Sequence, residues 1–409
     1  MSQAITLVQY WGGCPQTPNS KWQRFLHLLR TCAARGWRTY LVWSRMPQDR
    51  ALSRPFLHFG CEIVFQPQAR GQFDPACIWR TYRLLRRVHC DVFHCHNTHT
   101  SPLIAAALAG VPVRIWSKLA MSPYYERGES RRGLHRLQLS NRVSVALAHR
   151  VLCISHAVLE ELVHDGVRSG KLVVAPAPVD VGVYALASGD GVRAELGFDD
   201  ADVLITTVGQ AVPVKGWDVL IRAFAAVLKA APQARLLLVG STEAACETEF
   251  ATGLRKLVEE LALGARVRFL GQRKDIPRIL AASDVFAFPS RSEGQGLALT
   301  EALACGLPCV ASRAGGIVDL IQDHVNGLLV DPESPAALAQ SLITVIRDPE
   351  LRARLKSVAR DSVCQLDLKA ATALQVEFYQ ALLEASNRWR GPSVGINPPG
   401  PTAFIRSTP

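Results

Sequence analysis

The chain has 409 residues, 48% hydrophobic and 20% charged, enough apolar material for two or three packed domains. That balance excludes a disordered chain, a disulfide miniprotein and a coiled coil. The net charge of +11 is unevenly placed: residues 1–180 hold 23 basic and 10 acidic residues, a net of +13, and the remainder is −2. A cationic first half points to an anionic partner such as a membrane surface, a phosphorylated lipid or nucleic acid, or to an Arg-rich face that keeps the protein dissolved.

The N-terminus, MSQAITLVQYWGG, lacks a positive stretch before its apolar run and reads as a first strand rather than a signal peptide. Strand-like runs then alternate with helical patterns: Ile5 to Gln9, helix Lys21 to Arg35, Thr39 to Trp43, Glu62 to Phe65, helix Ile78 to Val88, Val92 to His94, helix Leu103 to Ala109, Val113 to Trp116, Arg150 to Ile154, helix Ala157 to Leu162 and Leu172 to Ala175. Periodicity breaks from Ala175 to Asp202 and restarts with Val203 to Val208, helix Asp218 to Lys229, Leu236 to Val239, helix Glu249 to Ala262, Val267 to Leu270, helix Ile276 to Ala282, Val285 to Phe288, helix Leu297 to Ala304 and Cys309 to Ala311. This alternation predicts an α/β fold of two doubly wound Rossmann-like domains facing across a cleft, with ligand at the carboxyl ends of the strands. The expected boundaries are 1–180 for the first domain, 181–202 for a hinge, 203–370 for the second domain and 371–390 for a helix packing back toward the first domain. Residues 391–409, with three Gly and five Pro, are expected to be a disordered tail.

Eleven cysteines, several inside apolar runs (Cys153, Cys305, Cys309), fit reduced thiols of a cytoplasmic protein better than a disulfide framework. The longest clean apolar run, Leu103 to Val113, is broken by Gly110 and Pro112 and falls short of the ~20 residues of a bilayer span, so any membrane association is expected to be peripheral.

Most of the chemistry lies between Phe288 and Asp331. A strand ends at Phe288, a loop of Ser, Glu and Gly follows, and a helix opens near Gly296. Free backbone N–H groups at such a helix start face an anion, and the helix dipole adds to the attraction. Two carboxylates frame this loop: Glu293 within it, and Glu301 in the helix, where a carboxylate can accept hydrogen bonds from vicinal ribose hydroxyls. From Ser290 to Ala311 the chain resembles the retaining glycosyltransferases of family 4, which have the GT-B fold and the pattern S-x-x-E-G-x-G-L-x-x-x-E-A-x-A-x-G-x-P-V-V-A, with Cys309 in the first valine place. The match runs on through Gly315, Gly316 and Asn326 to Val330, and the resemblance as a whole covers residues 3 to 385.

The resemblance implies further site residues. Lys215, in VGQAVPVKGW, stands where the family has a phosphate-binding cation, and Gln210 stands where the family usually has an Arg. Gly240 fits a Gly-rich turn, and Arg268 to Gly271, Leu270 included, matches the segment whose backbone meets the nucleotide base. Gly12 and Gly13, after the first strand, resemble the Gly-Gly loop that approaches the donor diphosphate. With Lys215 and the loop residues Gly294, Gly296, Leu297 and Ala298, they would stabilise charge on the departing diphosphate. Glu293 and Lys215 are the expected catalytic residues, Glu293 by positioning the donor sugar and by electrostatic stabilisation. The segment DVFHCHNTH looks like a metal site, with His94, Cys95, His96 and His99 close together, but family members carry D-V-V-H-x-H at a strand end lining the cleft, which makes His96 a cleft-lining residue. A family histidine at the end of the next strand is replaced here by Ser117 or Lys118, and Lys118 could hydrogen-bond a sugar hydroxyl or an acceptor phosphate, or be a surface charge.

The resemblance therefore implies a retaining glycosyltransferase that moves a sugar from a UDP- or GDP-linked donor to an acceptor, in cell-surface polysaccharide or glycolipid synthesis. No Asp-x-Asp-type motif sits in a strand-end loop, so no metal cofactor is expected, and the arginines form no nucleic-acid reader motif. Arg80, Arg83, Arg86 and Arg87 on one helix and Arg127, Arg131, Arg132 and Arg136 on another segment predict docking on an anionic membrane and a lipid-linked acceptor. The alternative is a nucleotide-sugar-binding or scaffold subunit of low catalytic power, motivated by Gln210 and the missing strand-end histidine. A GT-B epimerase lacks an identifiable acid/base array here, and a phosphorylase lacks its pyridoxal-binding lysine context.

Overall fold

Short runs of buried aliphatic residues cannot hide their backbone polar groups alone, and most are followed here by a helix. The combination drives parallel pairing covered by helices. The computed structural model describes residues 4–15, 19–96, 100–121, 131–167, 170–241 and 248–388, apart from the side chains of 131–137, 248, 387 and 388. The chain divides into two units, Met1–Pro178 with Leu368–Pro409, and Val179–Asp367.

In the first unit the strands are β1 (Thr6–Tyr10), β2 (Arg38–Trp43), β3 (Glu62–Phe65), β4 (Val92–His96), β5 (Val113–Lys118), β6 (Arg150–Cys153) and β7 (Leu172–Val174). They pair in parallel in the order β3-β2-β1-β4-β5-β6-β7. Between them run α1 (Ser20–Ala34), α2 (Arg54–His58), α3 (Pro75–Val88), α4 (Ser101–Leu108), α5 (Arg131–Leu147) and α6 (His156–His164). The central strands β1 and β4 are buried along their whole length.

The second unit opens with α7 (Val181–Ala185) and α8 (Val192–Glu195). Residues 181–202, read from sequence as a hinge, are thus partly helical and belong to this unit. Asp180 caps α7 through the Val183 N–H, and Cys305 Sγ donates to the Tyr184 carbonyl at 3.5 Å. The composition that breaks periodicity here serves as caps and turns, not as a linker. Strands β8 (Val203–Val208), β9 (Ala234–Val239), β10 (Val267–Gly271), β11 (Val285–Phe288), β12 (Cys309–Ser312) and β13 (Leu328–Val330) pair in parallel as β10-β9-β8-β11-β12-β13. The helices are α9 (Trp217–Ala230), α10 (Thr248–Glu260), α11 (Ile276–Ala281), α12 (Leu297–Ala304), α13 (Pro335–Arg347) and α14 (Pro349–Ala359). The last helix, α15 (Leu368–Arg388), belongs to the first unit and packs on α1. The ten described cysteines are all free. Residues 391–409, His99 and Arg127 lie outside the described residues, as do the side chains of Arg131, Arg132 and Arg136.

Docking α15 closes a buried polar chain across the first sheet. Gln9 and Gln375 donate to the Tyr379 hydroxyl oxygen at 3.0 and 2.8 Å. The Tyr379 hydroxyl meets His94 Nδ1 at 2.5 Å, and His94 Nε2 meets the Ser117 hydroxyl at 2.7 Å. His96 Nε2 sits 2.6 Å from Gln9 Oε1, and the two histidine rings are 3.9 Å apart. With both rings neutral, Tyr379 donates to His94 Nδ1 and the Nε2 hydrogens go to Ser117 and Gln9, so this donor order satisfies every link. These three histidine nitrogens serve the fold, and the metal-like spacing of DVFHCH marks a polar core.

Burial pushes His94 down to about 3, and burial together with the charges of His94, Lys21 and Arg24 pushes His96 well below its usual value. A folded-state value below the unfolded one means that the unfolded chain binds the extra proton. Stability is therefore whole above about pH 6.5 and falls as the pH drops toward the folded value, by about 1.4 kcal/mol per pH unit for each histidine. Thermal melts across this range are expected to show a steep acid loss, and His94→Gln, less stable at neutral pH, is expected to show a shallower one.

Candidate active site

In the second sheet the strand order reverses between β8 and β11, so the chain leaves these neighbours in opposite directions and opens a crevice at their carboxyl ends. β8 runs into a single 3₁₀ turn at Pro213–Lys215, and β11 runs into the loop from Pro289 to Gln295. These segments bring Lys215 and Glu293 together across 78 residues of sequence, with Nζ 2.5 Å from Oε1. The Ser290 hydroxyl donates to the same carboxylate oxygen at 2.9 Å, and the ammonium lies 5.8 Å from the centre of the Phe288 ring. Glu293 is about 10% exposed and Lys215 about 25%, so the pair is shielded but reachable.

Arg291 ties the two segments together, a role that spacing in the sequence does not reveal. Its guanidinium makes two 2.8 Å bonds to Asp218 at the start of α9, a third at 3.0 Å to Glu333, and a further bond to the Pro213 carbonyl, while its backbone N–H donates to Val214 at 2.8 Å. Burial acts to raise the Asp218 carboxyl, but hydrogen bonds and charge from Arg291 outweigh it and leave it lowered. Backbone packing does the rest. Gly216 has φ of +64°, and a Cβ there would lie 2.1 Å from the Pro289 carbonyl oxygen; Gly315 has φ of +53°, and its Cβ would lie 2.1 Å from the Glu293 carbonyl oxygen. Gly316 N–H donates to that Glu293 carbonyl at 2.9 Å.

Beyond Glu293, Gly294 is half-buried and Gly296 takes the N-cap position of α12 with no side chain capping that end. Leu297 and Ala298, half-buried, form the first turn, and Glu301 follows one turn on, buried at 7% exposure. Gly240 follows β9, and its N–H donates to the Gly271 carbonyl at 2.9 Å. On β10, Leu270 packs on the core, whereas Arg268 is exposed with its guanidinium 6.0 Å from the Phe198 ring. Gln210 is exposed just past β8.

The first unit holds the remaining residues. Gly12 and Gly13 follow β1, and their carbonyls accept from the Gln68 side chain at 2.7 Å and from Ser44 N–H at 2.8 Å. His96 ends β4 at 9% exposure. Lys118 is buried, with Nζ 2.9 Å from Glu161 and 3.1 Å from the Ala120 carbonyl, so its charge is matched inside the unit rather than presented as a strand-end cation.

Parallel sheets with a lysine–carboxylate pair at a switch point, followed by a glycine-led helix bearing a buried glutamate, define the class as a GT-B α/β protein. Residues 23–183 match the family described as Glycosyltransferase Family 4, and residues 190–362 match Glycosyl transferases group 1. The chain belongs to this glycosyltransferase family. It is 34% identical over 195 residues to D-inositol 3-phosphate glycosyltransferase of Segniliparus rotundus, a match over 47% of this chain and 42% of that protein. It is 27% identical over 366 residues to N-acetyl-alpha-D-glucosaminyl L-malate synthase of Bacillus anthracis, over 87% of this chain and 92% of that one. The chain thus spans under half of the first relative and nearly all of the second. Its fold is similar to that of Anabaena Alr3699/HepE solved in complex with UDP, with a TM-score of 0.75 and 23% identity over 92% of this chain and all of that one. WaaG, a glycosyltransferase involved in lipopolysaccharide biosynthesis, is also similar, with a TM-score of 0.68 and 18% identity over 91% and 99% of the two chains.

Gly216→Ala is expected to force the Pro213–Lys215 turn away from Pro289 and to place a non-glycine residue at positive φ, a strain of about 1–3 kcal/mol before the clash is counted. A lowered melting temperature together with weakened nucleotide binding checks this, whereas Gly253→Ala, whose added Cβ meets nothing within 4 Å, should leave both intact.

Proposed function

We propose that the chain transfers a sugar from a nucleoside-diphosphate donor to an acceptor with retention of anomeric configuration. The observation that carries this reading is the Lys215–Glu293 pair held before the α12 start, with Glu301 one turn into that helix. Without ligand, Lys215 and Glu293 neutralise each other. A donor diphosphate offers the ammonium a stronger partner, so Lys215 turns to the phosphates and the Glu293 carboxylate is left facing the donor sugar. As the sugar–oxygen bond breaks, negative charge grows on the leaving phosphate, where Lys215 and the α12 backbone amides stabilise it, and positive charge grows on the sugar ring, where Glu293 does. No metal cofactor is required on this account. Glu301 accepts the ribose hydroxyls. The names of the relatives agree with this reading: the Anabaena protein was solved with UDP-glucose, and the curated relatives are glycosyl transfer enzymes.

A binding or scaffold subunit is the second reading, favoured by Gln210, which supplies no second cation beside Lys215. Release of nucleoside diphosphate from a UDP- or GDP-sugar in the presence of acceptor separates the two. Binding is tested first by thermal shift with UDP, GDP, ADP and uridine, where a ligand at 100 times its Kd adds about 2.7 kcal/mol. Lys215→Ala is expected to weaken the diphosphate far more than the nucleoside, Glu301→Ala to remove about 1.5–3 kcal/mol of nucleotide affinity, and Glu293→Gln to spare binding while lowering turnover.

The acceptor side carries the charge. On α3, Arg83, Arg86 and Arg87 are exposed, and Trp79, at 59% exposure, stacks on Tyr82 with ring centres 5.8 Å apart. Basic residues beside an exposed aromatic suit an anionic membrane surface, each cation contributing about 1 kcal/mol there. Among the described residues no helix is long and apolar enough to cross a membrane. We read this face as docking the protein on the inner leaflet, where a lipid-linked acceptor for polysaccharide or glycolipid synthesis is presented. Sedimentation with anionic vesicles is expected to carry the protein down at low salt and release it at high salt, with Arg83→Glu/Arg86→Glu abolishing the effect.

A further inference from the structure

The start of α1 breaks a local electrostatic rule. Asn19 caps the helix in the ordinary way, its side-chain oxygen accepting from Trp22 N–H at 3.0 Å, yet the first turn has no acidic residue and instead carries Lys21, with Arg24 three residues on. Cations at a helix start oppose the dipole, and residues three apart lie on the same face, so the two also repel each other. Both are half-buried. Neither has an ion pair with any described residue. Among the described residues Lys21 finds only the Trp11 ring, 4.7 Å from its ammonium, and Arg24 Nε is enclosed with no hydrogen-bond partner. Trp11 stacks on Phe25 at 4.6 Å, and the Phe25 ring meets His96 at 4.7 Å, so the cations stand on a rigid aromatic base at the carboxyl ends of β1 and β4. This is the switch point of the first sheet, because the order reverses between those two strands. Burial and then the Arg24 charge push Lys21 down to about 7, and burial pushes Arg24 down to about 10.

A helix dipole facing cations, like charges on one face, and an enclosed guanidinium nitrogen without an acceptor are three unfavourable terms that one anion relieves together. We propose that Lys21 and Arg24, beside His96, recognise a compact anionic group, a phosphate or a carboxylate, carried by the acceptor. Lys21 supplies a point charge and Arg24 a planar fork, while the Trp11 and Phe25 rings keep both side chains in place. The assignment to the acceptor rests on the glycosyltransferase reading; the anion site itself does not.

The test uses the full chain and reads Lys21 directly. A lysine titrating near neutrality is acylated by an amine-reactive ester faster than an exposed lysine such as Lys229, and peptide mass spectrometry reports each site separately. With UDP saturating, inorganic phosphate is expected to slow labelling of Lys21 by about tenfold and to leave Lys229 unchanged, because a bound anion holds the ammonium protonated. Malonate run in parallel distinguishes the sources: protection by phosphate alone assigns a phosphorylated acceptor, and protection by malonate alone a carboxylate one. Arg24→Gln is expected to remove the protection while keeping the wild-type melting temperature within a few degrees, and Arg24→Lys to restore part of it. Absence of protection by either anion overturns the site. Protection by UDP alone gives the site to the donor and overturns the acceptor assignment. Failure of UDP and GDP to bind at all, with phosphate still protecting Lys21, would instead sink the glycosyltransferase reading and leave the anion site standing.

Discussion

The second unit depends on backbone meeting backbone where side chains would ordinarily intervene. Gly216 lies against the Pro289 carbonyl and Gly315 against the Glu293 carbonyl, each closer than any Cβ allows. These approaches draw the loops after β8, β11 and β12 into one body. Arg291 then fastens that body to α9 through Asp218 and to the loop before α13 through Glu333. With both in place, Lys215 and Glu293, borne on different loops, lie within hydrogen-bonding distance. A reacting group must be held to a fraction of an ångström, and loops achieve this only when their own backbone is over-determined.

Much of this is legible in the amino-acid sequence. The alternation of apolar runs and amphipathic segments names nearly every strand, and the glycines and carboxylates from Ser290 to Ala311 lie close enough in sequence for spacing alone to mark a strand, a loop and a helix start. The pairing of Lys215 with Glu293 is not legible, because periodicity says nothing about which two loops meet. The same limit hides Arg291, which reads as a variable position in the motif and gains meaning only from Asp218 and Glu333, 73 and 42 residues away. β13 escapes because three residues are too few to show a period, and α5 because an Arg-rich stretch masks its apolar face.

What the sequence leaves open or misplaces has a physical cause. DVFHCH reads as structural or cleft-lining histidines with a superficial likeness to a metal site, and a local sequence gives no hint that Tyr379, 285 residues on, will reach into the sheet and satisfy His94. Lys118 looks like a cation at a strand end because its partner, Glu161, sits on α6 among residues with an ordinary amphipathic pattern. Residues 181–202 look like a linker because Pro, Gly and Asp break helices, yet the same residue types cap the short helices α7 and α8. For His94 and Lys118 the counterpart lies on another element, and a polar residue without its counterpart reads as functional or as solvent-exposed.

Counter-charge therefore separates the cations of this protein by what each does. Lys118 is buried with Glu161 against it, and a buried pair with matched charge has no capacity left for a ligand: its energy goes into holding β5 to α6. Lys215 is paired but partly open, and its partner Glu293 is itself a group the chemistry needs, so a diphosphate can displace one contact and release the other. Lys21 and Arg24 are shielded without any counter-charge among the described residues, a condition that costs folding free energy and is stable only because aromatic packing around Trp11 and Phe25 holds it. The three states form a series from structure to substrate. A fold tolerates an unmatched shielded charge where a ligand will match it, and Lys21 and Arg24 in the first unit, like Lys215 in the second, stand by the carboxyl ends of the strands flanking the reversal of order.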